Sequence, residues 1–111
     1  LDEVFVFGSN SEGMHWGGAA RTAHQHFGAI MGVSVGIQGQ SYAIPTMEGG
    51  LESIRHFVNE FIQFARHNKH LFFFVTRIGC GIAGYTDNEI APLFVAARNE
   101  ENICLPKTFV S

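Results

Sequence analysis

The sequence has few of the features that mark nucleic-acid-binding or membrane proteins. Only seven Lys and Arg residues occur in 111 positions, they form no run, and the formal net charge is −3. Nucleic acid is not an expected partner, because clustered cations are needed to neutralise its phosphates. No stretch approaches the roughly 18 consecutive apolar residues of a membrane span, so no membrane association is expected.

Cysteine is equally scarce. The two cysteines, Cys80 and Cys104, have neither CxxC nor Cys/His spacing, and we interpret them as reduced thiols of a cytoplasmic protein. We expect no metal site and no cofactor. The composition is that of a globular protein, with 46% hydrophobic and 15% charged residues, eleven Phe and thirteen Gly. A chain of this length predicts a single domain over residues 1–111.

Short apolar runs and amphipathic stretches alternate along the chain. The predicted strands are Val4–Phe7, Ser41–Pro45, Leu71–Thr76 and Asn102–Pro106. The predicted helices run over Gly18–Phe27, over Leu51–Asn68, and from a Thr86–Glu89 capping box through Ala97, where Pro92 bends or delays the helix. The glycine-rich stretch Gly28–Gly39 is predicted to be a loop or an irregular ribbon.

This alternation predicts an α/β fold, specifically a three-layer α/β/α sandwich around a mixed, largely parallel sheet. The run Leu71–Thr76 has no polar alternation, so we expect a central strand that is covered on both faces.

Three segments are expected to meet beyond the carboxyl ends of the strands, where such sheets bind ligands. They are Gly8–Asn10, Pro45–Thr46 and the loop Gly79–Gly84. Bare amides that lead into a helix form an anion site, and phosphate is the anion that suits it best. Alternatively, Gly79, Gly81 and Gly84 supply only the positive φ of a tight turn. The spacing matches neither GxGxxG nor GxxxxGK[ST].

Six histidines offer little chemistry. His15 stands before a second glycine-rich turn, Gly17-Gly18-Ala19, where it either contacts phosphate and acts as acid or base, or caps and packs. His24 and His26 point to different sides of one helix and cannot share a metal ion. The other three are predicted to be solvated: His56, His67 and His70.

Three side chains near the Gly79–Gly84 loop each have two interpretations. Cys80 is either a thiolate nucleophile activated by a helix end or a small buried side chain. Arg77 either contacts phosphate or braces the loop against Asp87 or Glu89. Tyr85 either edges the site or packs.

The motifs resemble the macro domain, a fold that binds ADP-ribose. Asn10 after the first strand, the turn at Gly17, and Gly81-Ile-Ala-Gly-Tyr85 after an apolar strand carry this resemblance. The chain is more closely similar to short bacterial and phage proteins of macro-like fold with the segments FGSN, HxGGAA, GQSYAIPT, TRIGCGxAGY and IAPLF. Here these lie at Phe7–Asn10, His15–Ala20, Gly39–Thr46, Thr76–Tyr85 and Ile90–Phe94.

The resemblance implies a binding site for a nucleotide diphosphate, ADP-ribose or a related NAD-derived metabolite. It places Asn10 near the distal ribose, Gly17 and Gly18 in the first phosphate turn, and Gly81, Ile82 and Gly84 in the diphosphate loop. The further residues expected in the site are Ser9, Ala19, Thr46, Arg77, Gly79, Cys80, Ala83 and Tyr85.

The sequence departs from the macro pattern in three places. The acid that reads adenine has no counterpart, Ala20 stands where many family hydrolases have a catalytic Asp, and Ala83 replaces an aromatic residue that contacts ribose. Two alternatives to ligand binding stay open. One is a hydrolase acting on ADP-ribose or a phosphate, with His15 and Asn10 as catalytic residues, and the other is a ligand-free scaffold or partner-binding protein.

Overall fold

A computed structural model describes residues 2–110. Within them the strands are β1 (Glu3–Ser9), β2 (Gly36–Gln38), β3 (Ser41–Pro45), β4 (Phe72–Val75) and β5 (Ile103–Cys104). The α-helices are α1 (Gly18–His26), α2 (Gly50–Arg66), α3 (Asp87–Ile90) and α4 (Lys107–Val110), and a 3-10 helix spans Ala91–Ala97. Among the helices of residues 2–110, none combines the length and the hydropathy of a membrane-spanning segment.

The strands form one sheet in the order β2-β3-β1-β4-β5. β1 is parallel to both β3 and β4, β4 is parallel to β5, and only β2 runs antiparallel, to β3. The prediction of an α/β fold with a mixed, largely parallel sheet is therefore confirmed.

The connections place two loops beside one another. α1 follows β1, whereas α2 carries the chain from β3, on one side of β1, to β4 on the other side. Because β1 and β4 are parallel neighbours, the loops after both strands leave the same edge of the sheet. A position where the strand order reverses in this way is where open α/β sheets bind ligands.

The larger hydrophobic cluster packs α2 and the C-terminal helices on the sheet. The apolar stripe predicted for α2 is confirmed, since Ile54, Val58 and Phe61 are fully buried against sheet residues such as Val6 and Phe73. A second, smaller cluster contains Phe7, Ala43 and three alanines from α1 and its following turn: Ala20, Ala23 and Ala29. Val6 and Phe7 belong to different clusters because successive strand residues point to opposite faces.

The prediction that β4 is covered on both faces was wrong. Phe73 and Val75 are buried, but Phe72 is 49% exposed and Phe74 is 42% exposed. The smaller cluster consists of residues of β1, β3 and the α1 region, and among the described residues it includes none from β4. An all-apolar run therefore did not reveal that one face of this strand has little cover.

The capping box is confirmed, but the helix after it is not a single α-helix. The Glu89 amide donates to the Thr86 hydroxyl, and the Thr86 amide donates to the Glu89 carboxylate. The α-helical pattern stops at Ile90 and continues as the 3-10 helix, which has Pro92 in its first turn. Proline lacks an amide hydrogen and crowds the carbonyl four residues before it, which explains the change of pitch.

Two short elements were missed in the sequence. β2 lies in the stretch predicted as loop or ribbon, where the buried side chain of Gln38 accepts from the Ile30 amide at 2.6 Å and donates to the Val33 carbonyl at 3.1 Å. The Gln38 side chain thus satisfies backbone groups of the preceding loop. Hydrophobic periodicity in the sequence gives no sign of such side-chain bonds. The last strand is shorter than predicted, and α4 follows it.

Candidate functional site

A cavity of about 400 Å³ opens at the carboxyl ends of β1, β3 and β4. The three segments predicted to converge do so, since residues of each line this cavity. Its lining consists of Gly8–Asn10, Met14, Trp16–Ala20, Thr46, Met47 and residues 76–83. The volume lies within the range of small-molecule sites in proteins, about 300 to 1,000 Å³.

Most of the residues predicted for the site line this cavity. They are Ser9, Asn10, Gly17, Gly18, Ala19, Thr46, Arg77, Gly79, Cys80, Gly81, Ile82 and Ala83. His15, Gly84 and Tyr85 do not line it. Tyr85 instead packs against the larger hydrophobic cluster, which agrees with the second of its two interpretations.

The loop after β4 folds back on itself and leaves several amides free. The Tyr85 amide donates to the Gly79 carbonyl at 2.8 Å, and the Gly84 amide donates to the Gly81 carbonyl at 3.0 Å. Within residues 2–110, no protein acceptor pairs with the loop amides of Gly79, Gly81, Ile82 and Ala83. These residues all line the cavity, so their amides are the candidate donors to a bound ligand.

The three glycines of this loop have different roles. Gly79 (φ +75°) and Gly84 (φ +85°) have left-handed backbone conformations, as the turn interpretation requires. Gly81 has no positive φ, and a Cβ built on it would meet no atom within 4 Å. Neither the turn nor the packing requires glycine at position 81.

The amino end of α1 supplies a second group of amides. Its N-cap residue, Gly17, has an extended backbone (φ −152°, ψ 166°) and provides no side-chain hydrogen bond to the helix. The first turn of α1 contains no acidic residue. The amides of Gly18, Ala19 and Ala20 have no protein acceptor in the described part of the chain, and all three residues line the cavity. The positive end of the helix dipole therefore faces the same space as the glycine loop.

Arg77 braces the loop and does not stand free. Its guanidinium donates to both carboxylate oxygens of Asp87, at 3.0 and 2.8 Å. This hydrogen bonding by Arg77 holds the pKa of Asp87 below its usual value. Asp87 also accepts from the Cys80 thiol at 3.4 Å and from the Thr108 hydroxyl at 3.1 Å. One carboxylate thus ties the loop to both α3 and α4.

Cys80 is a protonated thiol near neutral pH. Burial, together with the hydrogen bond to Asp87 and the charge of that carboxylate, raises the pKa of Cys80 to about 11. The thiolate is the nucleophilic form, so this environment suppresses nucleophilic chemistry. The interpretation of Cys80 as a small, half-buried side chain is the one that fits its surroundings. Neither described cysteine forms a disulfide.

The polar side chains at the ends of β1, β3 and β4 are already hydrogen-bonded. Both ends of the Asn10 carboxamide bind the Met14 backbone, at 3.0 and 2.9 Å, and so close their own loop. The hydroxyls of Ser9, Thr46 and Thr76 donate to backbone carbonyls. The donors left to the cavity are therefore mainly backbone amides.

His15 lies outside the cavity lining, in the protein interior. Its side chain is 1% exposed, its ring stands edge-on to Phe7, and its Nε2 lies 2.9 Å from the Ile30 carbonyl. That bond requires a proton on Nε2, and the buried Nδ1 has no hydrogen-bond partner among the described residues. The packing interpretation of His15 is the one this placement supports. The remaining histidines are exposed.

Sequence reasoning missed part of the lining. The lining residues that the sequence did not assign to the site are Met14, Trp16, Met47, Thr76 and Ile78. Periodicity gives no signal for these residues, because they lie in or beside loops whose positions depend on tertiary packing.

In the part of the chain that the structure describes, the lining contains no Asp, Glu or His. Among the described residues, no group of three or more His, Cys, Asp or Glu side chains could hold a metal ion. Comparison with known proteins identifies no relative, since no protein-family model, no curated protein and no solved structure matches this chain.

Proposed function

We propose that this protein binds a phosphate-bearing small molecule, a nucleotide diphosphate such as ADP-ribose or a related NAD-derived metabolite, in the cavity at the ends of β1, β3 and β4. The observation that carries the proposal is the pair of amide groups that line this one cavity. One group belongs to the first turn of α1 and the other to the glycine loop, and neither has protein acceptors among the described residues.

Phosphate is the chemical group that fits such a lining. Its oxygens accept several hydrogen bonds at once, and its negative charge is favoured at a helix amino end. Among residues 2–110, no carboxylate lines the cavity to repel it, although the whole chain is formally −3. Local backbone dipoles, and not overall charge, would provide the attraction.

Gly81 supports the same proposal. A side chain at this position would strain neither the backbone nor the packing, so the fold alone gives no reason for glycine. A ligand that approaches the backbone closely does give one. Gly17 is similar, since it is extended and a Cβ there would make only ordinary contact, at 3.7 Å.

The finer architecture belongs to this proposal as well. We infer a macro-like, three-layer arrangement, in which α1 covers one face of the sheet and the remaining helices cover the other. The division of the apolar residues into two clusters supports this layering. The macro assignment itself rests on the sequence motifs.

Binding is better supported than hydrolysis. The two side chains expected to act as catalysts are committed elsewhere, with Asn10 bonded to Met14 and His15 bonded to Ile30. The Cys80 thiol is held protonated. In a ligand-free scaffold we would expect the nearby aromatic side chains of Trp16 and Tyr85 to fill the cavity. Trp16 is instead 71% exposed and Tyr85 lies outside the lining, so binding is better supported than a scaffold role.

A titration of ¹⁵N-labelled protein with inorganic pyrophosphate tests the proposal at single amides. We expect the largest chemical-shift changes at Gly18–Ala20 and Gly81–Ala83, and little change at Gly32 and Gly36, which lie outside the lining. Sodium chloride at matched ionic strength is the control. Absence of shifts at these amides at millimolar pyrophosphate would contradict the proposal.

A further inference from the structure

We propose that Trp16 is a stacking platform for the aromatic base of the ligand, so that the site selects nucleotides over phosphates that carry no base. This inference rests on the proposed function, because it concerns the same cavity.

The cavity has a floor and a rim of different character. The floor lies at the strand ends, where Ser9, Thr46 and Ile78 are 4%, 4% and 2% exposed. The rim is apolar and open, with Trp16 71%, Ile82 80% and Met47 43% exposed. Small-molecule sites commonly combine such apolar surfaces with a few fixed polar donors.

Exposure of these apolar rim side chains to water is unfavourable in free energy. Large apolar side chains are stabilised by burial, and contiguous exposed groups of them usually mark binding surfaces. Trp16 is the sole tryptophan of the chain and offers its largest flat ring. Nucleobases stack on such rings without needing a specific hydrogen-bond pattern.

The rim and the amide donors belong to the same two segments. Trp16 directly precedes Gly17, the N-cap of α1, and Ile82 is itself one of the residues with a free amide. The Cδ1 atom of Ile82 lies 3.7 Å from the position of a Cβ on Gly17, so the two segments meet at this point. A single ligand could therefore place its phosphates on the amides and its base on the indole.

Concavity and continuity favour a small molecule as the partner of Trp16. The indole lines a cavity of about 400 Å³ together with the amides. Phe72 and Phe74, by contrast, are exposed on the sheet but do not line that cavity. Phe72 therefore provides an aromatic control that is exposed and remote from the proposed platform.

The experiment compares two ligands that differ only in the base, AMP and ribose 5-phosphate, with pyrophosphate as a probe of the phosphate site. Affinities are measured by calorimetry for the wild type and for Trp16→Ala, Trp16→Phe and Phe72→Ala. In the wild type and in Phe72→Ala we expect AMP to bind at least about tenfold more tightly than ribose 5-phosphate. Trp16→Ala should bring that ratio close to one, and Trp16→Phe should retain most of it.

Quenching of the Trp16 fluorescence by AMP, and not by ribose 5-phosphate, gives a second readout. A wild-type ratio near one, or a ratio unchanged in Trp16→Ala, would overturn the role of Trp16. If pyrophosphate still binds in that case, the proposed function stands. If none of the three ligands binds at millimolar concentration, both proposals fail.

Discussion

The loop after β1 and the loop after β4 both contain glycines, but glycines of two kinds. Gly13 and Gly79 have φ of +68° and +75°, and a Cβ on them would lie 2.5 Å from the Val33 amide nitrogen and 2.9 Å from Ile90 Cδ1. Gly17 and Gly81 have no positive φ, and a Cβ there would come no closer than 3.7 Å to any atom.

This difference distinguishes glycines that the folded backbone requires from glycines that a ligand site would explain. The first pair combines a positive φ with a close contact at the position of a Cβ, so the folded chain by itself favours glycine there. The second pair lines the cavity without such a requirement, so its members are candidates for close contact with a ligand. Glycine content alone does not distinguish the two cases.

The largest stability effect should come from Gly13→Ala. The new methyl group would meet backbone atoms that cannot rotate away, and the positive φ adds strain, so we expect a loss of about 3 kcal/mol. Gly81→Ala is the matched control, with stability unchanged or about 0.5 kcal/mol higher through a less flexible unfolded chain. Urea unfolding measures both, and equal midpoints would break the comparison.

Gly79→Ala should cost less, about 1 to 2 kcal/mol, because its closest clash is with the end of a side chain. Ile90→Val removes the Cδ1 atom in question and tests this reason. In a double-mutant cycle we expect the pair to be less destabilised than the sum of the single changes. Simple additivity would show that Ile90 is not what excludes a side chain at position 79.

Asp87→Asn should destabilise the protein by a smaller amount, since Arg77 is partly exposed and solvent screens the pair. The pKa of Asp87 is lowered in the folded state, so its contribution is present above the ordinary carboxylate range and is lost as the pH falls through the lowered value. The difference in unfolding free energy between wild type and variant should therefore close below about pH 4. Glu52→Gln, at an exposed surface pair, serves as control. A gap that is independent of pH would argue against the ion pair.

The smallest effect concerns reactivity and not stability. Cys104 is exposed, whereas the pKa of Cys80 is raised to about 11 by burial and by Asp87. At pH 8 we expect iodoacetamide to modify Cys104 much faster, with the rate at Cys80 rising about tenfold per pH unit toward pH 11. Mass spectrometry of the Cys80→Ser and Cys104→Ser variants separates the two sites. Rapid labelling of Cys80 at pH 7 would show a thiolate and would reopen its catalytic interpretation.

Local patterns predicted the long elements and the convergence of the site. The stripe of α2, the strand β1 and the Thr86 capping box all depend on spacing within one segment, and each was confirmed. The cavity was predictable because parallel strands end at one edge, whatever the details of their packing.

Features that depend on distant contacts were not predictable. The half-exposed Phe72 and Phe74 look in sequence like any buried run. β2 is defined by its pairing with β3, and its own Gln38 side chain binds the Ile30 amide, neither of which a local pattern shows. The burial of His15 against Phe7, which removes it from the cavity, is a tertiary fact of the same type. Sequence could offer its two possible roles but not choose between them.

We propose above all that residue 81 is glycine because a phosphate ligand closely approaches its backbone. The most direct test of this claim is calorimetric titration of wild type and Gly81→Ala with pyrophosphate, alongside their unfolding midpoints. We predict that the variant unfolds like the wild type and binds at least about tenfold more weakly, a loss of about 1.4 kcal/mol. Undiminished binding by a stably folded Gly81→Ala variant would contradict the claim.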